Sequence, residues 1–186
     1  MGLAIRYALN SSVRRQLASE IRAQFEAFAA TGLILDHANS HKHMHLHPIV
    51  GRLMLDIGRQ YGLRAVRVPA EPPDVMVRLG ANPGFGGRAM YAWTRLFRHQ
   101  ARSAGMATND HCFGLAWSGH MTGDRVRRLM AELPDGNTEI YFHPATGRDA
   151  VLQRLMPDYE HDAELAALLS LRNLPADPLD GNRRNL

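Results

Sequence analysis

The stretch Asp36-His37-Ala38-Asn39-Ser40-His41-Lys42-His43-Met44-His45-Leu46-His47-Pro48 holds five of the chain's ten histidines. Imidazole serves as a metal ligand, as a general acid or base near neutral pH, and as a member of polar networks. Just upstream, Ile34-Leu35 follows the turn signal Thr31-Gly32, which predicts the end of a buried strand running into a loop. Kept extended, the segment would send His41, His43, His45 and His47 to one face, because side chains alternate along a strand. Coiled, it would offer the i,i+4 pairs His41/His45 and His43/His47. Either geometry lets two imidazoles converge on one cation. Asp36 and Asn39 add oxygen ligands, or partners that fix a histidine tautomer.

A His-rich tract can also be a solvated metal scavenger. The interleaved Ile34, Leu35, Met44, Leu46, Ile49 and Val50 point instead to a packed strand-loop-helix junction. Pro48 suits the first turn of a helix whose apolar face is Ile49, Leu53, Leu55, Ile57 and Tyr61. Gly62 stops that helix, and Leu63 to Val68 reads as the next strand. A strand, a helix and a short return to a second strand signal a parallel sheet.

On the N-terminal side, Ser11 or Ser12 is expected to cap a helix reaching about Ala30, with Val13, Leu17, Ile21, Phe25 and Phe28 in the core. Met1 to Asn10 carries no recognisable element. On the C-terminal side, Pro69 to Pro73 and Asn82 to Gly87 read as loops. Arg88 to Ser103 reads as a helix whose Met90, Trp93, Leu96 and Phe97 are assigned to the core. A strand over 111–117, a Thr122-capped helix to Leu133, a strand from Thr138 to Phe142 and a helix from Glu160 to Leu171 complete the pattern.

One α/β domain over residues 1–171 is expected, with 172–186 as a disordered tail. Strands that alternate with helices and end in polar residues suit a barrel-type or open α/β sheet with parallel strands. In such folds chemistry collects at the carboxyl ends of the strands. The segment His41 to His47, Arg67, Asp110 and His143 all follow a predicted strand or sit at its edge.

Composition bounds the function. At 186 residues, 45% apolar and 22% charged, the chain can bury an ordinary globular core. It has no apolar run of membrane-spanning length and no leader-like start. The single Cys112 excludes an internal disulfide and fits a reducing compartment, so a cytoplasmic location is expected. A net charge of +4 raises the question of nucleic acid. The basic residues, all arginine except Lys42, are dispersed along the sequence, so no nucleic-acid partner is expected.

Four stretches carry a resemblance: Asn39-Ser40-His41-Lys42-His43-Met44-His45 with Pro48; Leu63 to Pro69; Thr108-Asn109-Asp110-His111-Cys112-Phe113-Gly114-Leu115; and Glu139-Ile140-Tyr141-Phe142-His143-Pro144-Ala145. In this order they resemble the YdjC-like carbohydrate deacetylases, and most nearly the hopanoid-biosynthesis-associated branch. The resemblance implies a barrel-like deacetylase fold, here incomplete. It also implies a divalent metal ion, magnesium or zinc, and hydrolysis of the acetyl amide of an N-acetylglucosamine-type sugar or glycolipid. Carried over residue by residue, His41 would be a metal ligand and His143 the catalytic acid or a partner of the transition state. Arg67 would either orient an oxygen of the substrate or make a structural salt bridge, and His37, Asn39, His43 and His45 would line the substrate pocket or stand behind it, with His45 as a reserve ligand.

Relatives begin with a strand carrying paired aspartates, followed by a Gly-Leu-His-like motif. Here no Asp-Asp pair occurs and the first acidic residue is Glu20. The chain therefore reads as the C-terminal portion of such an enzyme, through truncation, a misplaced start or decay. It is expected to be a weak deacetylase by itself, with Asp36 and Asp110 as the obvious substitute bases, and uncovered surface would favour a homo-oligomer. Another metal-dependent amidohydrolase, or a noncatalytic metal-binding module built on His41 to His47, are the alternatives.

Overall fold

The structure, a computed structural model, describes residues 10–171. The expected tail from residue 172, like the residues before Asn10, lies outside the described residues. Two compact units divide the chain. Among the described residues, the first holds 10–115 together with Pro134–Ile140; the second holds Ala116–Leu133 and 141–171.

In chain order the elements are α1 (Ser11–Ala29), β1 (His37–Ala38), α2 (Pro48–Gln60), β2 (Ala65–Val66), α3 (Pro73–Arg78) and α4 (Gly84–Ser103). They continue with β3 (Ala107–Thr108), β4 (His111–Phe113), α5 (Gly123–Ala131), β5 (Thr138–Ile140), α6 (Ala150–Leu155) and α7 (His161–Leu171). A 3-10 segment, His41–Leu46, joins β1 to α2.

In the first unit, β1, β2 and β3 form one sheet in that order, and β4 with β5 forms another. All these pairings are parallel, as the expected α/β class requires. The first strand does not lie where the sequence places it. Leu33 and Ile34 are 67% and 85% exposed, and β1 begins at His37. The ladder decides the matter: His37 stands opposite Ala65, and Ala38 opposite Val66. Pairing with β2 thus selects a more polar dipeptide over the apolar one upstream.

Local signals explain the helices. Asn10, rather than Ser11 or Ser12, caps α1, accepting the N–H groups of Ser12 and Val13 at 3.0 and 3.2 Å. Pro48 opens α2, and Gly62, at φ +81°, ends it in a conformation a side chain would resist. Of the residues assigned to the core on α4, Phe97 is buried, but Trp93 and Leu96 are 46% and 43% exposed. The core of this unit gathers Leu55, Ile57, Leu63, Val66, Val68 and Phe97 between α2, the strands and α4.

A side chain joins the two sheets. Asn109 accepts the N–H of Val68 at 2.7 Å and donates to the carbonyls of Val68 and His111, both at 2.8 Å. Its amide so replaces a rung of backbone ladder at the place where β3 hands over to β4. Next to it, the N–H of Cys112 bonds the Ala70 carbonyl at 3.0 Å, and the Cys112 side chain is fully buried.

The second unit packs α5 against α7, burying Val126, Leu129 and Ala167. Asp149 caps α6 through the N–H groups of Val151 and Leu152. No helix among the described residues is long and apolar enough to cross a membrane.

Candidate functional site

The histidine segment takes neither of the expected geometries. It forms 3-10 turns broken at Lys42 and His43, which both adopt left-handed backbone, with φ at +49° and +53°. Two successive non-glycine residues in this region cost about 1–2 kcal/mol each. Something must hold them there, and that something is His45.

His45 is fully buried. Its Nε2–H donates to the carbonyl of Arg67 at 2.9 Å, which leaves Nδ1 to accept the Ser40 hydroxyl at 2.7 Å. The Ser40 oxygen in turn accepts the backbone N–H of His45 at 2.9 Å. These bonds fix the tautomer and tie the turn after β1 to the backbone leaving β2. Burial lowers the His45 pKa to about 4, so the ring is neutral at pH 7. Close packing from behind completes the clamp. A Cβ on Gly51 of α2 would lie 2.4 Å from the His45 carbonyl oxygen and 2.9 Å from the Phe97 ring.

The other residues of the segment face outward to different degrees. His41 and Asn39 are exposed, and His43 is half-buried, its ring 6.1 Å from that of His45. His47 turns its Nδ1 to the N–H of Ile49 and caps α2. The unit therefore brings Asn39, His41, His43 and Arg67 to the carboxyl ends of adjacent parallel strands. His45 sits behind them with both ring nitrogens engaged.

Arg67 directs its guanidinium along the sheets. Its Nε–H donates to Glu139 of β5 at 2.8 Å, and Nη2 reaches the same carboxylate oxygen. Both side chains are largely buried, so the pair links β2 to β5. Close by, Glu71 accepts the backbone N–H groups of Gly114 and Leu115, each at 3.0 Å.

His143 belongs to the second unit, where α7 grips it by its main chain. Its N–H donates to Glu164 Oε2, and its carbonyl accepts Nδ1–H of His161 at 2.5 Å. Glu164 is fully buried and takes the N–H of Met121 on its other oxygen at 3.0 Å. The Glu164 carboxylate also lies 4.0 Å from His143 Nδ1. Tyr159 packs its ring on His143 and His161, with centroids 5.1 and 5.6 Å away, and bonds Ser118 through its hydroxyl. Glu164, His161 and Tyr159 were not among the residues expected to matter. The signal for two of them was present: His161 and Glu164 recur with Ala167 at i,i+3 spacing on the buried face of α7, whereas Tyr159 precedes that helix.

Neither substitute base is set up for proton abstraction. Asp36 is exposed and bonds the neighbouring His37 at 3.0 Å. Asp110 accepts the N–H of Asn137 and an Arg102 N–H, which hold its carboxyl below the usual range and weaken it as a base. Nor do the described residues make a metal site by themselves, since no three His, Cys, Asp or Glu side chains group to hold an ion. His41 is an exposed imidazole just beyond the end of β1.

Residues 1–173 match the family model described as YdjC-like protein. A carbohydrate deacetylase from Brevibacillus brevis is 38% identical over 65 residues, which are 35% of this chain and 24% of that protein. The chain thus spans about a quarter of the length of the curated relative it matches. No solved structure matches it. With the family model covering nearly all of its length, the chain belongs to the YdjC-like protein family.

Proposed function

We propose that the chain serves carbohydrate deacetylation, removing the acetyl group from an N-acetylglucosamine-type sugar by amide hydrolysis. The observation that supports this best is the family match over residues 1–173 in a chain whose Asn39, His41 and Arg67 stand at the carboxyl ends of neighbouring parallel strands. Water adds to the acetyl carbonyl carbon, the C–N bond breaks, and the leaving amine takes a proton. His143 is the proposed acid for that last step. Arg67, Asn39 and His43 are the proposed substrate-facing groups. His45 acts from behind, through the Arg67 carbonyl it holds.

A divalent cation, magnesium or zinc, with His41 among its ligands, belongs to this proposal. So do a glycolipid substrate of the hopanoid type, a cytoplasmic setting and self-association. Without an aspartate placed as base, turnover is expected to be slow by orders of magnitude, because catalytic groups act as a unit.

The test is isotopic acetate release from N-acetylglucosaminyl substrates with magnesium or zinc added, alongside calorimetry with the metal alone. Slow release that falls to background in His41→Ala and His143→Ala, with metal binding lost in His41→Ala, supports the reading. Release no greater than in His41→Ala rejects it, and metal binding without release identifies a noncatalytic module. Metal binding that survives His41→Ala but not His43→Ala would move the ligand to His43.

A further inference from the structure

The outward face of α4 has no partner in the first unit. At 100° per residue, Phe85, Ala89, Ala92 and Leu96 fall within a narrow stripe on that face, and all four are exposed. Phe85 is the extreme case at 89% exposure, projecting from the first turn of α4, which begins at Gly84 inside the stretch expected to be a loop. Trp93 borders one side of the stripe, half-exposed, its indole N–H fixed to the Leu46 carbonyl at 2.9 Å. Arg88, Arg95 and His99 border the other side.

Charge identifies the occupant. Between Gly84 and Ser103 the helix carries four arginines and no acidic residue. Arg98 and Arg102 are engaged by Asp110, Arg102 while still exposed, whereas Arg88 and Arg95 are exposed beside the apolar stripe. Lys42 is exposed on the histidine turn that Trp93 contacts through Leu46. His99 continues into the wall of a groove of about 790 Å³ that is also lined by Arg59, Ile49, Leu53 and the pair Arg52–Asp56.

From these features we infer that α4 docks the protein onto an anionic lipid bilayer, lying in the interface with Phe85 and Leu96 inserted and Arg88 and Arg95 among the headgroups. Aromatic and aliphatic side chains on one side and arginines along the flank are the composition of an interfacial helix. A second copy of the chain fits less well. A two-fold pairing through α4 would bring both sets of Arg88 and Arg95 together with no acid on either helix to answer them. Nucleic acid would leave Phe85 and Leu96 unused. Docking through α4 requires nothing of the chemistry at His41.

The experiment is co-sedimentation of the full chain with vesicles of phosphatidylcholine containing 30% phosphatidylglycerol, against vesicles of phosphatidylcholine alone. Tryptophan emission is followed in parallel, since Trp93 borders the stripe while Trp117 is buried. Binding to the anionic vesicles alone is expected, weakened at high salt and accompanied by a blue shift. Arg88→Gln and Arg95→Gln should each lower partitioning roughly fivefold, from about 1 kcal/mol per basic residue at such a surface. Phe85→Ser should weaken the blue shift while leaving the urea midpoint in place, since that side chain is 89% exposed, and adding Leu96→Ser should abolish the shift. Equal binding to neutral vesicles would overturn the inference, as would binding unchanged by the serine variants. A dimer in free solution that the serine variants convert to monomer would assign the stripe to a second copy instead.

Discussion

The two histidine-bearing regions of the protein are built on opposite plans. Around His41 to His47, imidazoles crowd the sequence, yet one of them, His45, is fully buried, and it works on the backbone of Arg67. Around His143 the sequence is sparse, and the crowding is spatial: His161, Glu164 and Tyr159 arrive from 16 to 21 residues downstream to fix its main chain and its ring. Density along the chain marks a place where the backbone must turn sharply. Density in space, with a carboxylate sealed in the interior, marks a place where one residue must not move.

The contrast breaks first at Glu164. Glu164→Ala leaves the N–H groups of Met121 and His143 without an acceptor, and a loss on the order of 4 kcal/mol is expected in urea denaturation. Glu164→Gln should recover part of it, since one amide oxygen still serves one N–H. A loss below about 1 kcal/mol would mean that the second region is no better fixed than a surface loop.

The next effect concerns His45 and pH. Its folded pKa of about 4 lies below the ordinary 6.5, so between these values the unfolded chain binds the extra proton. Its contribution is therefore complete above pH 6.5 and is lost as pH falls through the window towards 4, by about 3 kcal/mol in all. Denaturation at pH 7 and pH 4.5, compared with His45→Gln, isolates the effect. The variant should lose less between the two pH values. An equal loss would show that His45 is not the buried neutral group of this turn.

Smaller changes sharpen the picture. Arg67→Lys keeps a charge near Glu139 but not the forked contact, and about 1–2 kcal/mol of stability should go. Lys42→Gly should act in the other direction, raising the unfolding free energy by about 0.5–1 kcal/mol. It relieves a left-handed residue at φ +49°. A destabilised Lys42→Gly would show that the lysine side chain itself supports the turn.

Much of the architecture could be read in the sequence, and the failures have physical causes. Gly32, Pro48 and Gly62 marked helix ends correctly because proline and glycine restrict or free the backbone wherever they stand. Ile34-Leu35 misled because strand position depends on a partner 28 residues away, which no local pattern shows. The prolines of 69–73 read as loop, although Pro73 opens α3 as a first-turn residue. At the candidate site, the motif residues could be named in advance, but the roles of Ser40 and Glu164 could not. A hydrogen bond that fixes a tautomer, or a carboxylate serving two distant amides, is a property of the fold.

Cys112 gives the protein an internal clock. Burial and the nearby Glu139 carboxylate push its thiol up to about 12, so the closed state presents almost no reactive thiolate near neutral pH. Its backbone is pinned to Ala70 beside the Asn109 bridge, and it is the chain's single cysteine. Alkylation by a thiol reagent must therefore wait for the junction of the two sheets to part. Under fast reclosing the labelling rate reads the free energy of that local opening, and at high reagent concentration it reads the opening rate itself.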